Sequence, residues 1–353
     1  MVIILAIIAF GILIAVHELG HFITAKAFGV KVEEFALGMG PLIFKKQGKE
    51  TLYSLRLLPL GGFCAMEGED EDTGSERSFS AQKAWKRAII LFAGVAMNFI
   101  FGFLLVLCIA PSANFTEPII HSFMPDCPYV GEAALMEGDR IHSVDGHRTF
   151  FTNNVSEYMN RSGSDYHDIV IYRGGERIVL RDFYMPLVEY PQPDGSKTLK
   201  YGLYFAEREY GLGANIKYAW FGSLDFARAV WDGLGMLVRG EVGLRQMSGP
   251  VGIVGFVNDV AQEAESTNDF LFDFCHIFAL IAVNLAVMNL LPIPALDGGR
   301  IFFLIVTWII EKIIGRRIDP KYEGYIHSAG FALLMALMIF VMFSDVLREF
   351  FGI

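Results

Sequence analysis

Four stretches of the 353-residue chain are long and apolar enough to cross a bilayer: Met1 to about Ala27, Ala88 to Ala110, Phe270 to about Leu291, and about Ile326 to Leu347. About 20 apolar residues span the hydrocarbon as a helix, so the pattern predicts a polytopic α-helical membrane protein with four transmembrane helices. Between these runs the period changes. Leu52 to Leu60, followed by Gly61-Gly62-Phe63, is apolar and β-forming, and Gly38-Met39-Gly40-Pro41 before it is turn-rich. Together they predict a hairpin-like loop dipping toward the membrane, with an ordinary amphipathic surface hairpin as the alternative. From Pro111 to about Asn268 hydropathy falls. Ala133 to Ile141 signals short helix, turn and strand, and Ile169 to Leu180 reads as a hairpin around Gly174-Gly175. Tyr218 to Glu241 spaces its aromatic and aliphatic residues like an amphipathic helix at the membrane surface, and Ser248-Gly249-Pro250-Val251-Gly252 then breaks the chain.

Composition agrees with the pattern. Hydrophobic residues make up 53% of the chain, charged ones 19%, and the mean hydropathy is +0.42, too apolar for a soluble protein of this length. The first run lacks a basic leader, so we read it as a retained helix instead of a cleaved signal. Lys31, Lys45, Lys46, Lys49, Arg56, Lys83, Lys86 and Arg87 fill the first loop, which the positive-inside rule assigns to the cytoplasm. Both termini and the segment between the second and third crossings then lie outside the cytoplasm. That segment carries most of the net charge of −10, and no nucleic-acid partner is expected. The acidic run Glu67 to Asp72 reads as a solvated linker, with a cation site as the alternative. Cys64, Cys108, Cys127 and Cys275 lack metal or disulfide spacing and are expected to be buried small residues. Four parts follow: 1–110 with two crossings and the loop, 115–206 as a water-exposed α+β domain, 207–268 as surface helix and connector, and 269–353 with the last two crossings.

The candidate chemistry begins inside the first apolar run. His17-Glu18-Leu19-Gly20-His21 is H-E-x-x-H, which on a helix puts two imidazoles on one face for a single zinc and leaves Glu18 able to act as general base. A chance match is the bland alternative. Within a bilayer, however, ionisable side chains each cost about 2.5–3.5 kcal/mol on insertion scales, so they are rarely kept without a partner such as a metal. The third run ends in Asn289-Leu290-Leu291-Pro292-Ile293-Pro294-Ala295-Leu296-Asp297-Gly298-Gly299-Arg300, where two prolines interrupt the helix at membrane depth. Asp297 is the carboxylate such a cavity would hold; its alternative role is capping an amphipathic helix from Ile301 to Ile314. Asn98, on the second crossing, is read as a hydrogen-bonding tie to the first.

With these motifs on separate crossings, the chain resembles the site-2 proteases, the intramembrane zinc metalloproteases, most closely bacterial members of the RseP type. Pro59 to Phe63 is similar to that family's membrane re-entrant β-loop, and Leu135 to Gly146 with the Ile169–Leu180 hairpin resembles a PDZ domain. A small β-domain without a ligand is the alternative. The resemblance implies zinc held by His17, His21 and Asp297, Glu18 as catalytic base, and substrate contacts at Asn289, Leu57, Gly61, Gly62 and Phe63. It also implies cleavage of single-pass membrane proteins, such as anti-sigma factors or signal-peptide remnants, within the lipid bilayer of a bacterial inner membrane. Two departures stand out: there is room for a single PDZ domain where relatives have two, and Val95 occupies a position where many relatives carry proline. An inactive membrane PDZ adaptor that keeps zinc for stability is the second reading. A metal transporter is the third, disfavoured because the chain shows no internal repeat.

Overall fold

The computed structural model describes residues 2–69, 73–113, 115–131, 133–191, 196–243, 249–315 and 320–351. They form two compact units, one of residues 1–109 and 226–353, the other of residues 110–225.

The first unit is built on four helices long and apolar enough to cross a membrane: α1 (Val2–Ala27), α2 (Ala84–Ile109), α6 (Thr267–Asn289) and the apolar stretch Gly324–Leu347 within α8 (Pro320–Phe351). The chain is an integral membrane protein. Helix α2 is central because its buried face carries small residues. A Cβ on Gly102 would lie 2.8 Å from Val283 of α6, and one on Gly20 of α1 would lie 2.4 Å from the carbonyl oxygen of Ala93. Without side chains at these points the backbones come close enough for dispersion contacts and interhelical hydrogen bonds, which drive helix association where apolar burial does not. Gly102 thus opens a close helix contact, and Gly94 on the same helix serves a more particular purpose.

Two shorter helices complete the unit. The stretch after Gly249 forms α5 (Pro250–Glu263), a helix the chain-breaking residues did not suggest. Its proline falls in the first turn, where a missing N–H costs nothing, and Val257 buries against Ala6, Leu13 and Ile277. The break at Pro292 and Pro294 is followed by α7 (Asp297–Ile314). Helix α4 (Leu212–Arg239) begins six residues earlier than the amphipathic pattern indicated.

The loop after α1 is more than a hairpin. Strands β1 (Val32–Gln47) and β2 (Leu52–Met66) each double over, so that Phe35 neighbours both Tyr53 and Cys64, and Ala36 both Ser54 and Phe63. The first half of β1 is thus flanked on both sides, and residues 62–66 become an outer edge. Gly38 at φ +84° and Gly61 at φ +93° supply the left-handed bends that this doubling requires. Val32, Phe35, Cys64 and Met66 of the ladder pack with Ala25, Ile90 and Leu91 of α1 and α2, while Leu42, Ile43, Phe44, Leu55 and Leu57 stay exposed.

The second unit has a four-stranded sheet in the order β5 (His147–Arg148), β4 (Arg140–Val144), β6 (Tyr166–Arg173), β7 (Glu176–Tyr184). The β6–β7 hairpin turns at Gly174 and Gly175, both with positive φ, as a two-residue turn of matching twist demands. Helix α3 (Thr152–Ser162) covers one sheet face through Val155, Tyr158 and Met159, against Ile141, Val144, Ile169 and Ile171. The sequence signal for a short helix at 133–141 is corrected: its described residues are turns leading into β4. Asp139 explains the preference. Fully buried, it accepts hydrogen bonds from Arg173 Nε and Nη2 at 2.8 Å each and from the Met136 amide at 2.8 Å, which holds a turn closed. Two small pairs flank the sheet, β3 (Ile120–Phe123) with β10 (Leu203–Phe205) and β8 (Val188–Pro191) with β9 (Lys197–Lys200).

Of the cysteines only Cys64 is buried; Cys108 is exposed and Cys127 and Cys275 lie between, all of them free thiols. Exposure of Cys108 corrects the expectation that all four would be buried. Its place on a membrane-crossing helix makes lipid the natural neighbour of an apolar thiol.

Candidate metal centre

Helical spacing brings His17 and His21 together on α1, their ring planes near perpendicular at 86° and their Nε2 atoms 3.2 Å apart. From 276 residues further along, Asp297 reaches the same point. Its Oδ2 lies 3.1 Å from His17 Nε2 and 3.4 Å from His21 Nε2, and all three side chains are at most 16% exposed. Among the described residues this is the group of three or more His, Cys, Asp or Glu side chains placed to share a metal ion.

Residues of α2 set the orientation of both rings. Ile90, Gly94 and Asn98 follow one another at four-residue steps, so they line one helix face. The Ile90 carbonyl oxygen accepts from His21 Nδ1 at 2.8 Å, which fixes the tautomer and leaves the Nε2 lone pair for a ligand. Gly94 makes room: a Cβ there would lie 2.4 Å from His21 Nε2 and 2.8 Å from His17 Cε1. Asn98 is buried, with its amide 3.3 Å from His17 Nδ1 and, among the described residues, its Oδ1 lacks a hydrogen-bond partner. Turning that amide by half a revolution lets Oδ1 accept from His17 Nδ1–H, which satisfies the oxygen and frees His17 Nε2 in the same way. Asn98 does meet the first crossing, as expected, and it does so at an imidazole.

The donor set fits zinc. Two imidazole lone pairs and a carboxylate oxygen converge within 3.4 Å, and Asp297 Oδ2 is buried and, among the described residues, has no hydrogen-bond donor of its own. Such convergence is repulsive unless a cation or shared protons lie between. Zinc–nitrogen bonds of about 2.0–2.1 Å in a tetrahedron put neighbouring ligand atoms about 3.3 Å apart, close to the three spacings found. Nor is the Asp297 carboxylate committed elsewhere. Leu296 is the N-cap of α7, and no side-chain cap is formed, so the capping role offered by the sequence is set aside.

Glu18 faces the doubled strands. The backbone amide of Cys64 on β2 interacts with its carboxylate, and a Cβ on Gly62 would come within 3.3 Å of Glu18 Cγ and 2.9 Å of Ile14 Cγ2. Gly62 therefore lets the 62–66 edge lie against α1 beside the metal group. Gly61 turns over Met39, whose Cε would lie 2.6 Å from an added Cβ, and Phe63 stacks under the Arg56 guanidinium at 5.1 Å. Leu57 is a strand residue more than half exposed, and it sits at the register jump between Leu58, opposite Met39, and Arg56, opposite Leu42. Asn289 is the last residue of α6 and half buried.

Residues 5–337 match the description Peptidase family M50. The chain belongs to that family. A protein of Clostridium perfringens that carries a zinc-metalloprotease name is 34% identical over 98% of this chain and 99% of its own length. A Campylobacter jejuni protein with the same kind of name is 31% identical over 97% and 92%. The regulator of sigma-W protease RasP of Bacillus subtilis is 29% identical over 98% of both chains. As a member of family M50 the chain is a zinc metalloprotease of the site-2 type, and zinc is its cofactor. The sequence missed Ile90 and Gly94 as parts of this M50 site. A backbone carbonyl and a missing side chain leave no chemical signature, although the four-residue step from Ile90 to Asn98 was there to be read.

Proposed function

We propose that the chain hydrolyses peptide bonds inside transmembrane segments of single-pass membrane proteins. The observation that carries this is the convergence of His17 and His21, on the membrane-crossing helix α1, with Asp297 at the start of α7, and Glu18 beside a strand edge. His17 Nε2, His21 Nε2 and Asp297 Oδ2 would hold the zinc. When bound, zinc acidifies a water and polarises the scissile carbonyl. Glu18 takes the proton of the attacking water on its carboxylate and returns it to the leaving amine. A substrate helix hides its carbonyls in hydrogen bonds, so it must unwind. The edge at Gly61, Gly62 and Phe63 offers backbone partners to the unwound strand where lipid offers none, and Leu57 and Asn289 position it.

The first loop is proposed to be cytoplasmic and the second unit and both termini extracytoplasmic, in a bacterial plasma membrane, following the basic residues of the loop. The β1–β2 sheet, with its exposed leucines and Phe44, is proposed to be the family's re-entrant loop. The second unit is read as a single PDZ-like domain. A groove of about 270 Å³ runs between α3 and the β9–β10 segment, lined by Val155, Ser156, Asn160, Leu199, Lys200 and Leu203, and it is proposed to take a peptide. Membrane-anchored anti-sigma factors and signal-peptide remnants are the proposed substrates, the former in keeping with the name of the Bacillus subtilis relative.

The test is cleavage of a panel of candidate membrane helices by purified protein with and without a zinc chelator. Cleavage that stops on chelation and returns with zinc supports the proposal, whereas zinc-replete protein that cuts none of them supports an adaptor role. Two variants sharpen it. Asp297→Asn should lower zinc affinity and activity together, because one charged ligand is lost; unchanged zinc binding would remove Asp297 from the ligand set. Leu57→Pro should lower cleavage with zinc content unchanged. Its position at the register jump spares the internal ladder, so wild-type cleavage would show that this stretch does not pair with substrate.

A further inference from the structure

Asp297 follows a link, residues 290–296, whose last residue is tied to α7 through its carbonyl, which accepts from the Arg300 amide at 3.1 Å. Leu296 caps the helix without a side-chain bond, so the aim of the carboxylate depends on residues 290–296. That link is tightly wound. The Ile293 amide donates to the Leu291 carbonyl at 2.7 Å, and Gly298 and Gly299 let the carbonyl oxygens of Leu290 and Ile293 come so close that a Cβ would lie 2.2 and 2.1 Å from them. Ala295 sits at φ +79°, the left-handed region that a Cβ disfavours. A strained residue persists only where its surroundings over-determine it.

The restraint comes from the last crossing. The Ala295 amide donates to His327 Nδ1 of α8 at 3.0 Å. His327 is 8% exposed and its ring packs edge-on against Phe303 of α7, with centroids 5.5 Å apart. One turn further along α8, Gly330 presses on the same link: a Cβ there would lie 2.4 Å from Pro294 Cβ and 2.8 Å from its carbonyl oxygen. One face of α8 therefore grips the link at two consecutive residues, Pro294 by contact and Ala295 by hydrogen bond.

We infer that His327 is a positioning residue for the metal centre: by accepting the Ala295 amide it holds the left-handed turn that aims Asp297 at His17 and His21. The inference rests on Asp297 being a zinc ligand. A leucine at 327 would fill the same volume and pack on Phe303, so α8 does not need histidine to fold. What the imidazole adds is an acceptor two residues from the carboxylate.

The experiment measures zinc affinity of the full-length protein by competition with a chelator, together with kcat and KM of the zinc-saturated enzyme. Residues that orient a metal ligand are worth roughly 10- to 100-fold in affinity, so His327→Leu should weaken zinc by about that factor. His327→Asn places an amide oxygen where Nδ1 stands and should remain within about threefold of wild type. Ala295→Gly in the His327→Leu background should recover part of the loss, because glycine adopts the turn unaided. Wild-type affinity in His327→Leu, equal damage in the Asn and Leu variants, or no recovery with Ala295→Gly would each overturn the inference. Asp297→Asn is the reference: if it binds zinc as wild type does, the ligand assignment fails, and if it alone loses zinc, only the role of His327 fails.

Discussion

Glu18→Gln should leave zinc bound and remove nearly all proteolysis. The amide has the shape of the carboxylate, so it can keep its place beside Gly62 and the Cys64 amide, and none of the proposed zinc ligands is touched. What disappears is the ability to take a proton from water. General-base catalysis contributes roughly 10²–10⁴ in rate, and the loss should fall on kcat with KM little changed, since the proposed substrate contacts are other groups. Zinc content by elemental analysis and single-turnover cleavage of one membrane helix would be measured side by side. Turnover near wild type would take Glu18 out of the reaction; loss of zinc along with activity would place it among the ligands.

Gly94→Ala is the second large effect, and it comes from a residue with no functional group. The added methyl would stand 2.4 Å from His21 Nε2, 2.7 Å from His21 Cε1 and 2.8 Å from His17 Cε1. Neither ring can swing aside cheaply. His21 is tied through Nδ1 to the Ile90 carbonyl, and His17 has the Asn98 amide on its other nitrogen. One of those hydrogen bonds must break, or α2 must move away from α1, where Gly20 already lies against Ala93. Overpacking of this kind typically costs about 1–3 kcal/mol, and here it is concentrated on the two imidazoles proposed to hold zinc. The expected result is a folded protein that no longer retains zinc through purification, assayed by metal content and by thermal unfolding of the apo form. Zinc retained at wild-type affinity would mean that the two helices separate easily at this point.

These two predictions differ in how far the sequence could reach them. Glu18 belongs to a five-residue pattern whose geometry is local: on any helix, positions four apart share a face, so the two histidines and the intervening glutamate could be grouped without a fold. The four apolar runs were legible for a similar reason, because the bilayer sets a length that each run must meet by itself. The Gly174-Gly175 hairpin was too, since positive φ at both turn residues is a local demand. Gly94 shows the limit. On α2 it was one small residue among several, and its particular task depends on how α1 and α2 are rotated about their axes. The doubling of β1 and β2 and helix α5 were missed because each is stabilised by partners far away in sequence.

The sequence by itself determined the crossings, the paired imidazoles with their acid, and the interrupted helix that ends in Asp297. Those features depend on spacings of a few residues or on the thickness of a membrane. Only the tertiary structure decided that side-chain atoms of His17, His21 and Asp297, the last of them 276 residues beyond His21, meet within 3.4 Å, that Ile90 and Asn98 orient the rings, and that α8 grips the link before Asp297. Such contacts are fixed by helix rotation and close approach. Those in turn depend on which side chains are absent at the interface as much as on which are present, and a linear pattern does not carry that.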